Sequence, residues 1–181
     1  MRAVLVNAPE SLVEERRRLG IDSQDERWEG EWHFVNPPKR WHPYLNGQLF
    51  LVLAPIAMRL GLEPYGDSTG VFAELQLDWR VPDQAYARPD QSIEEGLTSA
   101  LFVVELRSPG DESYAKLPFY AARGVTEVLI VHEDRRFELY RLNEGAYQLA
   151  EDARSAVLGV AIETIDGPKL RITWDSGSAE V

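Results

Sequence analysis

The sequence predicts a mixed α/β domain built on a curved sheet, and three observations carry that expectation. Two short runs, "LFVVEL" at residues 101–106 and "EVLIVH" at 127–132, are nearly all apolar and rich in β-branched residues, as in central strands buried on both faces. Between residues 41 and 60, Leu45, Leu49, Val52, Leu53, Ile56 and Leu60 recur at helical spacing. The order along the chain is helix, strands, helix, strand, hairpins, which suits one sheet flanked by helices and extended by hairpins.

Each element follows from local chemistry. Residues 9–19 read as a short helix, with Glu10, Glu14 and Glu15 toward its start and Arg16, Arg17 and Arg18 toward its end, an order that suits the helix dipole; Gly20 stops it. "WEGEWHFVNPP" reads as an extended segment offering Trp28, Trp32 and Phe34 as apolar surface and closing at Pro37 and Pro38. The long helix that follows contains Pro55, where a kink is expected, and ends at Gly61. Alternation from Val71 to Leu77 predicts a half-exposed strand, and "VPDQAYA" a second short one. Ser108 and Pro109 stop the central strand, and "DESYAKLPFYAARG" continues as a helix that Pro118 distorts or delays and Gly124 ends. "FELYRL" and "AYQLA" extend the sheet as hairpin strands, and residues 161–174 form one more hairpin turned at Asp166 and Gly167. The last residues, "DSGSAEV", are expected to fray.

Composition narrows the class. A chain of 181 residues with 44% apolar residues suits one compact domain with a real core. It has no cysteine, which removes disulfides, thiolate metal sites and cysteine nucleophiles, and agrees with the cytoplasm. No secretory leader is visible, and the longest apolar run, "LFLVLAPIAM", is far short of the roughly 20 residues that span a bilayer, so no membrane partner is expected. The formal net charge of -11 weighs against broad electrostatic binding of nucleic acid, unless a local basic patch or bound divalent cations offset it.

The residues that could carry chemistry are few. Asp83 follows a proline at a strand edge, and Glu105 closes the buried run "LFVVEL". If the two strands are neighbours, these carboxylates face each other, a hard-oxygen pair that suits Mg²⁺ or Mn²⁺. Such an ion polarises a phosphate and lowers the pKa of a bound water, so phosphodiester hydrolysis is the matching chemistry. A cation completes such a site. Arg107 shares a strand face with Glu105 but acts only electrostatically, and Lys116 on the next helix is the other candidate. Plainer roles stand beside these: turn chemistry explains Asp83, an ion pair with Arg107 or Lys116 explains Glu105, and Lys116 suits a solvated helix face. His33, His42 and His132 are scattered without zinc-ligand spacing. His42, near the start of the long helix, suits a cap or surface role but could approach a phosphate, and Glu31 in "WEGEW" could join the carboxylates. Neither a phosphate-binding glycine loop nor a Gly-x-Ser-x-Gly elbow is present.

Taken together, "WEGEWHFVNPPKRWH", "VPD", "VVELRSP", Lys116, "YAARGVTEVLIV", "FELYRL" and "SAVLGVAIE" resemble, in order and spacing, the Uma-type restriction endonuclease family, a bacterial family of unknown function with the PD-(D/E)XK nuclease-like fold. The likeness covers about residues 26 to 165. It implies a restriction-endonuclease-like core at 26–175, an N-terminal helical extension at 1–25 and a flexible tail at 176–181. It also implies that Asp83 and Glu105 hold Mg²⁺ or Mn²⁺, that Lys116 has moved from strand to helix yet serves the same site, and that Glu31 is an auxiliary ligand; Arg107 and His42 stand as auxiliary candidates on their own chemistry alone. Glu112 falls where members often carry Asp. The chain departs from the family at Gly110, where Ser is usual, and in "EVLIVH", where many have "EYWIVD". The resulting expectation is a metal-dependent nuclease acting on DNA, and a homodimer suits it because two strands must be cut. The competing expectation, motivated by the acidic charge, is a silent nuclease-like fold that binds nucleic acid or assembles with protein.

Overall fold

The computed structural model describes every residue except Met1, Arg2, Val6, Asn7, Asn36, Pro37 and Pro109, so the expected stops at Pro37 and Pro109 lie outside the described residues. In chain order the elements are β1 (Ala3–Leu5), α1 (Glu10–Leu19), β2 (Glu26–Trp28), β3 (Glu31–Phe34), α2 (Trp41–Arg59), β4 (Glu63–Tyr65), β5 (Val71–Glu74), β6 (Asp78–Arg80) and β7 (Gln84–Ala87). There follow β8 (Ser92–Ile93), β9 (Gly96–Leu97), β10 (Phe102–Arg107), a 3-10 turn at Ser113–Lys116, α3 (Leu117–Ala122) and β11 (Glu127–His132). The chain ends with β12 (Phe137–Asn143), β13 (Ala146–Leu149), β14 (Ala161–Ile165), β15 (Lys169–Trp174) and β16 (Gly177–Glu180).

These strands form three sheets where one was expected. The central six-stranded sheet has the order β13-β12-β11-β10-β7-β4; β10 and β11 are parallel and the other pairs antiparallel. The parallel pair is joined through the 3-10 turn and α3, the crossover that parallel neighbours require. A seven-stranded sheet, β1-β3-β2-β6-β5-β9-β8, stands beside it, and β14-β15-β16 form a third. The expected strand 71–77 is the hairpin β5–β6: Gln76 adopts φ 68° at the turn, which leaves Leu75 and Leu77 exposed. The last residues do not fray, because Gly177–Glu180 pair with β15.

The sheet's two faces have different partners, and that difference positions the site. Leu45, Leu49 and Leu53 of α2 pack with Tyr86, Phe102, Val104 and Leu106 on one face. Pro55 lies on the exposed side of α2, so the helix runs past it with its apolar stripe intact. On the other face Ala85, Val103, Val128 and Ile130 pack with Phe119 and Tyr120 of α3. Pro118 sits in the first turn of α3, where its missing N–H costs nothing, so the helix starts late. Strand alternation therefore sends Glu105, two residues from Val103, toward α3.

Candidate active site

β7 and β10 pair with Gln84 opposite Val104 and Ala85 opposite Val103. Continuing that register brings Asp83, just before β7, level with Glu105. Asp83 Oδ2 accepts the Leu106 N–H at 2.6 Å, while Oδ1 lies 3.3 Å from His42 Nε2 at the start of α2. Glu105 is buried, at 3% exposure. Its Oε1 accepts the Tyr120 hydroxyl at 2.6 Å, and both its oxygens lie 3.0 Å from Lys116 Nζ. The solvated helix face considered for Lys116 is thus not where this residue sits: it is 1% exposed, and the short 3-10 turn aims its amine inward.

Lys116 also donates to the Val81 carbonyl at 3.1 Å and lies 2.7 Å from Glu26 Oε1. Glu26 is fully buried; its Oε1 accepts the Val81 N–H at 3.0 Å and its Oε2 accepts the Trp28 indole N–H at 2.8 Å. This residue escaped the sequence reading. The extended segment reads from Trp28 in the sequence, whereas β2 begins at Glu26, and alternation then puts Glu26 and Trp28 on one face. A strand begun two residues earlier would have exposed the signal, a carboxylate sharing a face with an inward Trp.

The auxiliary candidates divide. His42 touches Asp83. Glu31 stands exposed at the outer end of β3, on the wall of a separate cavity of about 600 Å³ that Trp28, His33 and Arg80 also line. Arg107 is directed to the loop after β10, with its Nε 4.0 Å from Asp111 Oδ1 and its guanidinium 4.8 Å from the Tyr114 ring centre. Glu112 meets His33, with Oε2 2.9 Å from Nδ1.

The electrostatics follow from this crowding. Burial pushes the Glu105 carboxyl up to about 7; the Asp83 and Glu26 charges add to the rise, while Lys116 and the Tyr120 hydrogen bond oppose it. Burial would lower the pKa of His42, but the hydrogen bond and charge of Asp83, with Glu105 and Asp67 behind them, raise it overall. The Tyr120 hydroxyl is held well above its usual range by burial, with the Glu105 charge reinforcing it, so it acts as a neutral donor.

The donor set suits a divalent ion of the Mg²⁺ kind. Among the described residues no three His, Asp or Glu side chains group closely enough to hold an ion by themselves. Mg²⁺ asks for less, one or two carboxylates with the other positions left to water and phosphate. Asp83 and Glu105 offer such oxygens, and their mutual repulsion, visible in the raised Glu105 pKa, is what a cation between them would relieve.

Comparison with known proteins bears on the family and the fold. A family model, Uma2, described as "Putative restriction endonuclease", matches residues 14–163, so the match begins inside α1 and takes in the whole central sheet. The fold is similar to the crystal structure of a putative nuclease belonging to DUF820 from Anabaena variabilis ATCC 29413, with a TM-score of 0.57, 13% identity, and coverage of 72% of this chain and 78% of that one. No curated protein matches. Among the described residues no helix is long and apolar enough to cross a membrane.

Proposed function

The chain belongs to the Uma2 family, and we propose that it is a divalent-metal-dependent nuclease that hydrolyses phosphodiester bonds in DNA. The observation that carries this reading is the meeting of Glu105 with Lys116 at 3.0 Å beside Asp83, a buried acid and amine that no packing need explains. Asp83 and Glu105 hold Mg²⁺ or Mn²⁺ in this scheme. The ion supplies Lewis-acid polarisation of the phosphate and a bound water of lowered pKa. Lys116, fixed by Glu26, Glu105 and the Val81 carbonyl, presents a positive charge toward the developing negative charge on phosphorus oxygens. Tyr120 keeps the Glu105 carboxylate from rotating, and His42 does the same for Asp83. A homodimer working in the cytoplasm, one site per strand, is the assembly that goes with this reading.

The test compares wild type, Glu105→Ala and Lys116→Ala on plasmid DNA with Mg²⁺ or Mn²⁺. Wild type cleaves and neither variant does; equal cleavage by all three would assign the activity to a contaminant. The net charge of -11 favours a second reading, a silent fold used for binding or assembly. Saturable Mn²⁺ binding by calorimetry that disappears in an Asp83→Asn, Glu105→Gln double variant counts against that reading.

A further inference from the structure

Between β2, β3, β6 and α3 runs a four-layer stack. The Arg80 guanidinium lies 4.2 Å from the Phe119 ring centre on one side and 4.2 Å from that of Trp28 on the other. Trp28 in turn stacks on His33, with ring centres 4.1 Å apart and planes inclined by 12°. The two layers that flank Trp28 are anchored. Arg80 Nη1 donates to the Arg27 carbonyl at 3.0 Å and to Asp78 Oδ1 at 2.7 Å, and His33 Nδ1 lies 2.9 Å from Glu112 Oε2. A ring held on both faces cannot tilt, so the indole N–H of Trp28 points along one fixed line, to Glu26 Oε2 at 2.8 Å.

That line fixes what Glu26 does. With Oε2 on the indole, Oε1 is left toward the Val81 N–H and Lys116 Nζ, at 3.0 and 2.7 Å. A glutamate carboxylate turns easily about its last torsion, and a buried one turns to whichever donors are offered. Without the indole N–H, both Glu26 oxygens compete for the Lys116 ammonium and draw it off Glu105. We propose that Trp28 is a positioning residue: through Glu26 it sets how Lys116 is shared with Glu105. Its effect on cleavage rests on the nuclease reading above; its effect on the amine does not.

The test uses Trp28→Phe, which keeps an aromatic ring between Arg80 and His33 but has no N–H, with Trp32→Phe as control. Trp32 pairs with Arg27, so it lies on the opposite face of the same hairpin, and it suffers the same chemical change. Two readouts are followed. The first is the ¹H–¹⁵N NMR signal of the Lys116 ammonium, which burial and multiple acceptors protect from exchange in wild type. The second is cleavage of DNA with Mn²⁺. The expected result for Trp28→Phe is a displaced Lys116 signal, because the ammonium stays buried but changes its share between Glu26 and Glu105, and a kcat lower by about tenfold to a hundredfold, as for a lost hydrogen bond to a charged group, with KM changed by less than about twofold. Trp32→Phe keeps both. A Lys116 signal left at its wild-type position in Trp28→Phe overturns the proposal. If wild type does not cleave, the nuclease reading fails and the ammonium signal alone decides on Trp28. If Trp28→Phe does not fold, the benzothienyl analogue of Trp at position 28, which replaces only the N–H by sulfur, takes its place with the same two outcomes.

Discussion

Replacing Glu105 by Gln removes a charge and keeps the shape, and the structure determines what that does to stability. Burial raises the Glu105 carboxyl from 4.5 to about 7 even though Lys116 lies 3.0 Å away. An acid whose folded pKa exceeds its unfolded value binds its proton more tightly in the fold. Its contribution to stability is therefore full below about pH 4.5 and is lost as pH rises to about 7. At about 1.4 kcal/mol per pKa unit, the ionised carboxylate costs the metal-free protein roughly 3 kcal/mol at pH 8. The Gln variant has no such titration. Urea unfolding in metal-free buffer at a series of pH values should give two curves that lie together near pH 4.5 and separate upward in pH, with Glu105→Gln the more stable by up to roughly 3 kcal/mol at pH 8. Other groups titrate in both proteins, so the difference isolates Glu105. Mn²⁺ should reverse the order at pH 8, because an ion held by Asp83 and Glu105 stabilises only the protein that retains both carboxylates. A Gln variant less stable at pH 8, by a margin that does not shrink on acidification, would mean that the Lys116 ion pair outweighs burial, and the reasoning would be refuted.

Two further outcomes are expected. His42, held above its ordinary 6.5 by Asp83, stays charged to higher pH than a free histidine; the stability this gives is present below pH 6.5 and fades as pH passes the folded pKa. An NMR titration in which the His42 midpoint does not fall in Asp83→Asn would rule this out. Glu127 is fully buried and accepts Arg141 Nε at 3.0 Å, the Ala156 N–H at 2.9 Å and the Ser155 hydroxyl. Glu127→Ala strands these donors and should cost roughly 3–5 kcal/mol in thermal or urea unfolding, whereas a loss under about 1 kcal/mol would show the network to be dispensable.

What could be read from the sequence, and what could not, divides along a physical line. Periodic apolar spacing made α2 legible, because its buried residues Leu45, Leu49 and Leu53 fall on one stripe, and continuous β-branched runs made β10 and β11 legible because both faces of each are covered. The number of sheets was not legible: what separates β2, β3, β5 and β6 from the central sheet is pairing between distant segments, such as Arg27 with Trp79, which leaves no local mark. β16 was hidden for a related reason, since "GSAE" has no strand propensity and owes its place to the edge that β15 offers. The candidate site shows the same division within one cluster. Glu105 stood out because it closes an apolar run, and Asp83 only through its place at the start of the neighbouring strand. Glu26 did not, because a glutamate on a three-residue strand in a charged stretch looks solvated until Val81 and Lys116, distant in sequence, close around it beside Trp28 of its own strand. A buried carboxylate enclosed mainly by partners distant in sequence, here Val81 and Lys116, is easily missed by reading along the chain. In this protein it is also the one that joins the Trp28 stack to the Lys116 amine.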